Sequence, residues 1–114
     1  MKLAEIIKSC NLQLITGEKS RDREVTGGYT SDLLSDVMAH GKKEAVWITL
    51  QAHPNIVAVA VLKELSGIIV VNGRKPDKDT INKAESESVA IMTTELSAFD
   101  VAGQLYGMGL RGTR

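Results

Sequence analysis

Three short apolar segments constrain the fold of this chain more than any other feature. Residues 45–50, 68–71 and 89–92 are rich in β-branched and other apolar side chains, have the length of buried strands, and each precede a segment with a helical pattern. Strands that alternate with helices form layered α/β folds. We therefore predict a largely parallel central sheet, with right-handed crossovers that place helices on both of its faces.

The segments that precede the first of these strands extend the pattern. Residues 2–10 have the apolar spacing of a short helix, and residues 12–16 read as a strand that ends at Gly17. The charged residues 18–24 predict an exposed loop, and residues 25–26 predict a further short strand. The predicted architecture is a three-layer α/β/α sandwich with a mixed, largely parallel sheet of about five strands.

The run 56–62 contains only apolar residues and is compatible with a strand or a helix. We predict a helix, because Pro54 suits a helix start and residues 63–65 extend the run to helical length. A helix that is apolar all round must be covered on every side. A second copy of the chain could supply part of that cover, and we therefore predict a homodimer.

In the rest of the chain, small polar residues and glycines mark the predicted helix boundaries. The pair Gly27-Gly28 predicts a turn, after which Thr30 or Ser31 could cap a helix with Asp32 in its first turn. Apolar residues of this helix form one stripe, and a glycine marks its end. The apolar stripe consists of Leu33, Leu34, Val37 and Met38, and the glycine that ends the helix is Gly41. Two later helices are predicted to begin after Asp77 and Ser97, and residues 72–77 to form the loop before the first of them.

Length and charge narrow the class of protein. The chain has 114 residues, which predicts a single domain over residues 1–114, and its 14 basic and 14 acidic residues cancel. This balance predicts neither a nucleic-acid nor a membrane partner. The N-terminal segment lacks the apolar core of a signal peptide, so we expect the protein to be located in the cytoplasm. Cys10 is the only cysteine, which excludes an internal disulfide and suggests a small buried side chain.

Candidate binding residues follow two of the predicted elements. In open α/β sheets, sites form at the carboxyl ends of strands, and amides at a helix start can bind an anion. A tight turn and a capped helix with no ligand explain the same residues, and the carboxylate of Asp32 would repel phosphate. Asp32 and Ser35 could instead lie at a dimer contact. The candidate ligand-binding residues are Gly27, Gly28, Ser31, Asp32, Ser35, Gln51, His53 and Asn55.

Catalytic signals are sparse. His53 could act as a general base with Asp32 or Asp36, although a structural role suits a lone histidine equally well. Cys10, His40 and His53 lack the spacing of metal ligands, so we predict no metal and no cofactor. The sequence contains no phosphate loop, no dinucleotide fingerprint and no nucleophile elbow.

The chain resembles the DRTGG domain family over about residues 20–110. The resemblance rests on Val25–Gly28, Ser31–Met38, Trp47–Gln51, His53-x-Asn55 to Ala60, Ile68–Val70 and Thr93–Phe99. Glu24 and Val25 stand where Asp-Arg precedes Thr-Gly-Gly in the family's name motif. The resemblance implies an α/β/α sandwich similar to the N-terminal domain of HPr kinase/phosphorylase and to the domain between CBS domains in regulatory pyrophosphatases. It implies a regulatory or dimer-forming role.

These observations predict a non-catalytic, homodimeric regulatory module that senses a small anionic metabolite or nucleotide. Two alternatives remain. The chain could dock on a metabolic enzyme complex without binding a ligand, or it could be a small acid/base enzyme that uses His53.

Overall fold

The structure is a computed structural model that describes residues 1–113. A 3₁₀ helix at Glu18–Asp22 lies between the first two strands. Residues 1–113 also form five α-helices and five β-strands. In chain order they are α1 (Leu3–Ser9), β1 (Gln13–Thr16), β2 (Gly27–Thr30), α2 (Leu34–His40), β3 (Ala45–Thr49), α3 (Asn55–Leu62), β4 (Gly67–Val70), α4 (Lys78–Glu87), β5 (Ile91–Thr93) and α5 (Ala98–Gly107).

The strands form one five-stranded sheet in the order β1-β5-β4-β3-β2. The pairs β2–β3, β3–β4 and β4–β5 are parallel, whereas β1 runs antiparallel to β5 at one edge. The prediction of a mixed, largely parallel sheet is confirmed.

Alternate residues of the strands contribute to two separate hydrophobic cores. Val46 and Ile48 of β3 pack on the face covered by α1 and α5. Ala45 and Trp47 of the same strand pack on the face covered by α2, α3 and α4. The two cores make the molecule a three-layer α/β/α sandwich, as predicted.

The distribution of the helices differs from the predicted one in a way that positions the site. Strands β2, β3, β4 and β5 lie in the sheet in chain order. All three parallel connections therefore run in the same direction, and α2, α3 and α4 share one face. Helix α5 packs on the opposite face with α1. The second face is thus covered by these two helices and not by crossover helices.

Helix α3 confirms the interpretation of the apolar run. It begins at Asn55, directly after Pro54, and ends at Leu62. Four of its residues, Ile56, Val57, Val59 and Ala60, are buried within the chain. Val61 and Leu62 remain 42% and 69% exposed, so the chain itself covers most of this helix.

The predicted turn at Gly27-Gly28 is wrong, because both residues belong to β2, which begins two residues later than predicted. The C-terminal segment crosses this strand. Gly28 donates its amide to the Arg111 carbonyl at 3.0 Å and accepts from the Thr113 amide at 3.1 Å. A Cβ at Gly27 would lie 2.8 Å from Cγ2 of Thr113. Gly27 therefore allows a remote part of the chain to approach the edge strand closely.

The predicted cap of α2 at Thr30 or Ser31 is also wrong, because the helix begins at Leu34. The backbone stays extended through Ser31, whose amide donates to the Ile48 carbonyl at 3.2 Å. The Ser31 carbonyl accepts from the Trp47 indole at 2.8 Å. These bonds to β3 delay the start of the helix, so Asp32 lies before it and not in its first turn.

Most other helix and strand boundaries lie at or near the residues predicted from the sequence. Gly41 ends α2, and Ser97 caps α5 by accepting from the Asp100 amide at 3.2 Å. Strand β5 begins at Ile91, two residues after the predicted start. The predicted loop at residues 18–24 contains the 3₁₀ helix, which is held by a bond of 2.9 Å from the buried Ser20 hydroxyl to the Ser88 carbonyl.

Substitution by alanine should have different effects on stability at the two adjacent glycines of β2. Gly27→Ala should lower the free energy of unfolding by about 1–3 kcal/mol, because the new methyl group displaces the C-terminal segment. Gly28→Ala should change it by less than about 0.5 kcal/mol, because the nearest atom would be 3.8 Å away. Urea unfolding of both variants measures the difference. Equal stabilities would contradict the role assigned to Gly27.

Candidate functional site

The loop after β2 and the loop after β3 are joined by a hydrogen-bond network centred on Asp32. The Asp32 carboxylate accepts from the Thr49 hydroxyl at 2.9 Å and from the Leu50 amide at 2.7 Å. The Gln51 side-chain amide donates to the Asp32 carbonyl at 2.9 Å. Three of the candidate residues, Ser31, Asp32 and Gln51, therefore lie near one another at the carboxyl ends of these strands.

The amides that were predicted to bind an anion here are engaged within the chain. Gly28 and Ser31 donate to backbone carbonyls. The Leu33 amide donates to the Ser31 hydroxyl at 3.2 Å. With the Asp32 carboxylate beside them, these groups form a brace between two loops and present little positive potential to a phosphate.

The remaining candidates lie apart from this network. His53 pairs with Asp77, with 3.1 Å between Nδ1 and Oδ2, and both side chains are largely exposed. Asp77 occupies the N-cap position of α4, but its side chain makes no capping bond. The carboxylate that meets His53 is therefore neither of the two that the sequence suggested. Ser35 and Asn55 are exposed, on α2 and at the start of α3.

Asp36 belongs to a different group of side chains. Its carboxylate accepts from the Tyr29 hydroxyl at 2.8 Å and lies 4.0 Å from Nε2 of His40. These contacts hold α2 against β2 and supply a structural role for the aspartate.

A separate crevice opens where the chain changes face. Helix α4 follows β4 on one face of the sheet, and α5 follows the adjacent β5 on the other. The loops after two such strands diverge, and ligands of open α/β sheets bind in the gap that this divergence leaves. The gap here has a volume of about 430 Å³. It is lined by Ser9, Cys10, Asn11, Gln13, Lys75, Thr93, Thr94, Glu95, Leu96 and Gln104.

The two diverging loops are bonded to each other at the crevice. Asn72 and Gly73 both have positive φ, 60° and 69°, and their amides donate to the carbonyls of Leu96 and Thr94 at 2.9 Å. The positive φ favours glycine at position 73, and a Cβ there would lie 2.8 Å from the Glu95 carboxylate, which would have to shift. Asn72-Gly73 thus forms the start of a strand-to-helix loop, as predicted.

Polar groups of different kinds converge on this crevice. Lys75 supplies an exposed cationic side chain from the loop after β4. Thr93 and Thr94 supply hydroxyl groups at the end of β5, and Gln104 supplies an amide from α5. A cation, hydroxyls and an amide can together bind a phosphate or carboxylate group and the polar atoms attached to it.

Cys10 forms part of the wall of the crevice and is buried. Its sulfur lies 3.9 Å from the sulfur of Met108. Burial raises the pKa of the Cys10 thiol. The thiol is therefore protonated at neutral pH, which makes it a weak nucleophile.

Sequence reasoning missed most of this crevice. The hydroxyls of Thr93 and Thr94 could have been found, because they follow a predicted strand. The contributions of Ser9, Asn11 and Gln13 could not, because they depend on β1 pairing with β5. Lys75 carried no signal, since its position depends on which face α4 occupies.

Two further properties of residues 1–113 bear on the chemistry. No helix in that range is long and apolar enough to cross a bilayer. Within the same range, no three His, Cys, Asp or Glu side chains are grouped so that they could hold a metal ion.

This geometry defines an α/β domain with a polar crevice at a change of sheet face. The sequence matches no family model, and no curated protein has significant similarity to it. Among solved structures, it is similar to the CBS and DRTGG domains of the regulatory region of a Clostridium perfringens pyrophosphatase, in complex with the activator diadenosine tetraphosphate. The TM-score is 0.76 at 17% sequence identity. The match covers 91% of this chain and 45% of that chain. The resemblance to the DRTGG domain is confirmed at the level of the fold.

Removal of the Asp32 carboxylate tests its bracing role. Asp32→Ala should lower the free energy of unfolding by about 1–2 kcal/mol, because the Thr49 hydroxyl and the Leu50 amide lose a charged acceptor. Asp22→Ala, at an exposed position on the 3₁₀ helix, is the control and should have little effect. If the two variants unfolded at the same urea concentration, the network would contribute nothing to stability.

Proposed function

We propose that this chain is a non-catalytic regulatory module that binds a small anionic metabolite or a nucleotide and acts as a homodimer. The observation that carries the proposal is the crevice after β4 and β5, where a cation and several hydroxyl and amide groups surround about 430 Å³. That volume accommodates a small metabolite or much of a nucleotide.

The comparison with known structures supports the regulatory part of this proposal. The similar protein is the regulatory region of a pyrophosphatase, and its structure was determined with a nucleotide activator. A module of the same fold in this chain would change the activity of a partner when its ligand binds. A non-enzymatic role is consistent with the protonated thiol of Cys10 and with the exposed position of the His53–Asp77 pair.

The anionic group of the ligand is assigned to Lys75. Its ammonium group can neutralise one negative charge, and the Thr94 hydroxyl can donate to the same oxygen atoms. The Glu95 carboxylate lies beside Gly73 at the rim and repels an anion there. It is suited instead to accept hydrogen bonds from hydroxyl groups such as those of a ribose.

The loops after β2 and β3 remain a second candidate site, made of the residues proposed from the sequence. Gln51, His53 and Asn55 lie on one of these loops or at its end. A ligand bound there would have to compete with the hydrogen bonds of Asp32. We therefore favour the crevice as the ligand site. Substitutions in each candidate site distinguish between the two.

The first test is a thermal-shift screen with nucleotides, phosphorylated metabolites and inorganic phosphate. A ligand of the native state should raise the melting temperature in a saturable manner. Lys75→Ala should abolish the shift, whereas Lys83→Ala, at an exposed position on α4, should preserve it. Loss of the shift in Gln51→Ala or His53→Ala, with Lys75→Ala unaffected, would move the site to the second candidate. A flat screen would favour docking on an enzyme complex without a ligand.

The thiol of Cys10 provides an independent readout of occupancy. Because it is buried and protonated, it should react slowly with Ellman's reagent in the native protein and rapidly in urea. A ligand in the crevice should slow the native reaction further in proportion to occupancy. An unchanged rate at a ligand concentration that saturates the thermal shift would contradict binding beside Cys10.

A further inference from the structure

The outward side of α5 carries two aromatic side chains, although it is turned away from the sheet. Phe99 is 88% exposed and Tyr106 is 59% exposed, while Val101 and Leu105 on the opposite side of the helix are buried. Gly103 lies between the two aromatic residues, and a Cβ there would have no atom within 4 Å. The face therefore has two aromatic side chains separated by a flat glycine surface.

Helix α4 shows what an ordinary exposed face of this protein looks like. It has the same length, 10 residues, and it lies on the other side of the sheet. The same spacing of residues on α4 exposes Lys78, Asn82 and Glu85, all of them polar. Exposed aromatic residues in place of such polar ones are typical of a surface that contacts another protein.

An apolar groove of about 220 Å³ opens beside this face, between α5 and β2. Side chains that line it include Ile48, Ala102, Leu105 and Leu110. The guanidinium of Arg111 lies 3.8 Å from the centre of the Tyr106 ring and borders the groove. The groove therefore combines an apolar wall with a cationic rim.

We infer that a second copy of this chain packs its α5 antiparallel to the first, with Phe99 of each copy inserted into the groove of the other. Phe99 and Tyr106 are seven residues apart, or about 10 Å along the helix. A two-fold axis near Gly103 exchanges the two ends of the helix, so both insertions form at once. This inference rests on the homodimer of the proposed function and specifies its interface.

The charges at the ends of α5 select a second copy in the antiparallel orientation. Asp100 is exposed in the first turn, next to Phe99, and Arg111 is exposed beyond the last turn. Insertion of Phe99 brings Asp100 of each copy towards Arg111 of the other. A parallel arrangement would place like charges together, and the helix dipoles would also oppose it.

Gly103 allows the two helices to approach. Interaxial distances of packed helices depend on the side chains at the contact, and a glycine permits the shortest ones. A side chain at this position would fit the single chain without a clash, because no atom lies within 4 Å of its Cβ. The same side chain would hold two copies apart.

Sedimentation velocity over a wide range of concentrations, about 1 to 200 µM, tests the interface. Phe99→Lys should raise the dissociation constant of the dimer roughly thirtyfold or more, as for loss of a buried aromatic anchor. Gly103→Gln should also weaken the dimer without lowering the stability of the monomer, because glutamine favours helix over glycine. The melting temperatures are compared at a concentration at which the wild type is monomeric, so that loss of the dimer does not contribute. Leu62→Lys, at an exposed apolar position on α3, is the matched control and should sediment as the wild type does.

Charge reversal tests the orientation with variants that keep the apolar face. Asp100→Arg and Arg111→Asp should each weaken self-association, and an equimolar mixture of the two should form a heterodimer with at least part of the lost affinity restored. In a parallel arrangement each residue would face its own equivalent, so a single reversal would exchange one like-charged pair for another and leave self-association unchanged. Unchanged self-association of both single variants, or a mixture that recovers no affinity, would overturn the inference. Retained dimerisation in Phe99→Lys, or its loss in Leu62→Lys, would also overturn it.

These outcomes are separable from those of the proposed function. A monomeric wild type would refute the dimer and the α5 interface together, whereas ligand binding in the crevice would still be measured by the thermal shift. A dimer whose dissociation constant is unchanged by Phe99→Lys would refute only the α5 interface.

Discussion

The burial of β3, β4 and β5 on both faces is the constraint on which the rest of the molecule depends. Every residue of these strands is buried, so the sheet must be covered by helices on both sides. The three parallel connections cover one side only, because the strands follow one another in chain order. Cover for the other side comes from α1 and α5, and the crossing of the chain after β5 opens the crevice.

The same constraint explains the edge of the sheet. Strand β2 lies at an edge, and residues 111–113 pair with it at Gly28. This pairing requires a glycine at position 27 and draws α5 and the segment after it towards β2. The groove beside Tyr106 lies between these elements. The crossing of the chain to the second face of the sheet after β5 therefore generates both the crevice and the groove, the two surfaces to which we assign binding.

The sequence predicted those elements whose signals are local. The apolar runs gave the central strands and α3, and Ser97 gave the start of α5, because burial period and capping act within a few residues. Gly27-Gly28 and Ser31 were misinterpreted because the deciding contacts come from Arg111, Thr113 and Trp47, which are distant in the chain. Ser31, Asp32 and Gln51 do come together, but their polar groups bond to the protein itself. The crevice was missed because it exists only after the order of strands and the face of each helix are known.

A nucleotide titration of the ¹⁵N-labelled protein, followed by its two-dimensional amide NMR spectrum, would locate the ligand site. Binding in the crevice should produce saturable shifts that cluster at residues 72–75, 93–96 and 104. Shifts confined to residues 31–36 and 51–55, with the crevice amides unchanged, would contradict it and place the ligand on the loops after β2 and β3.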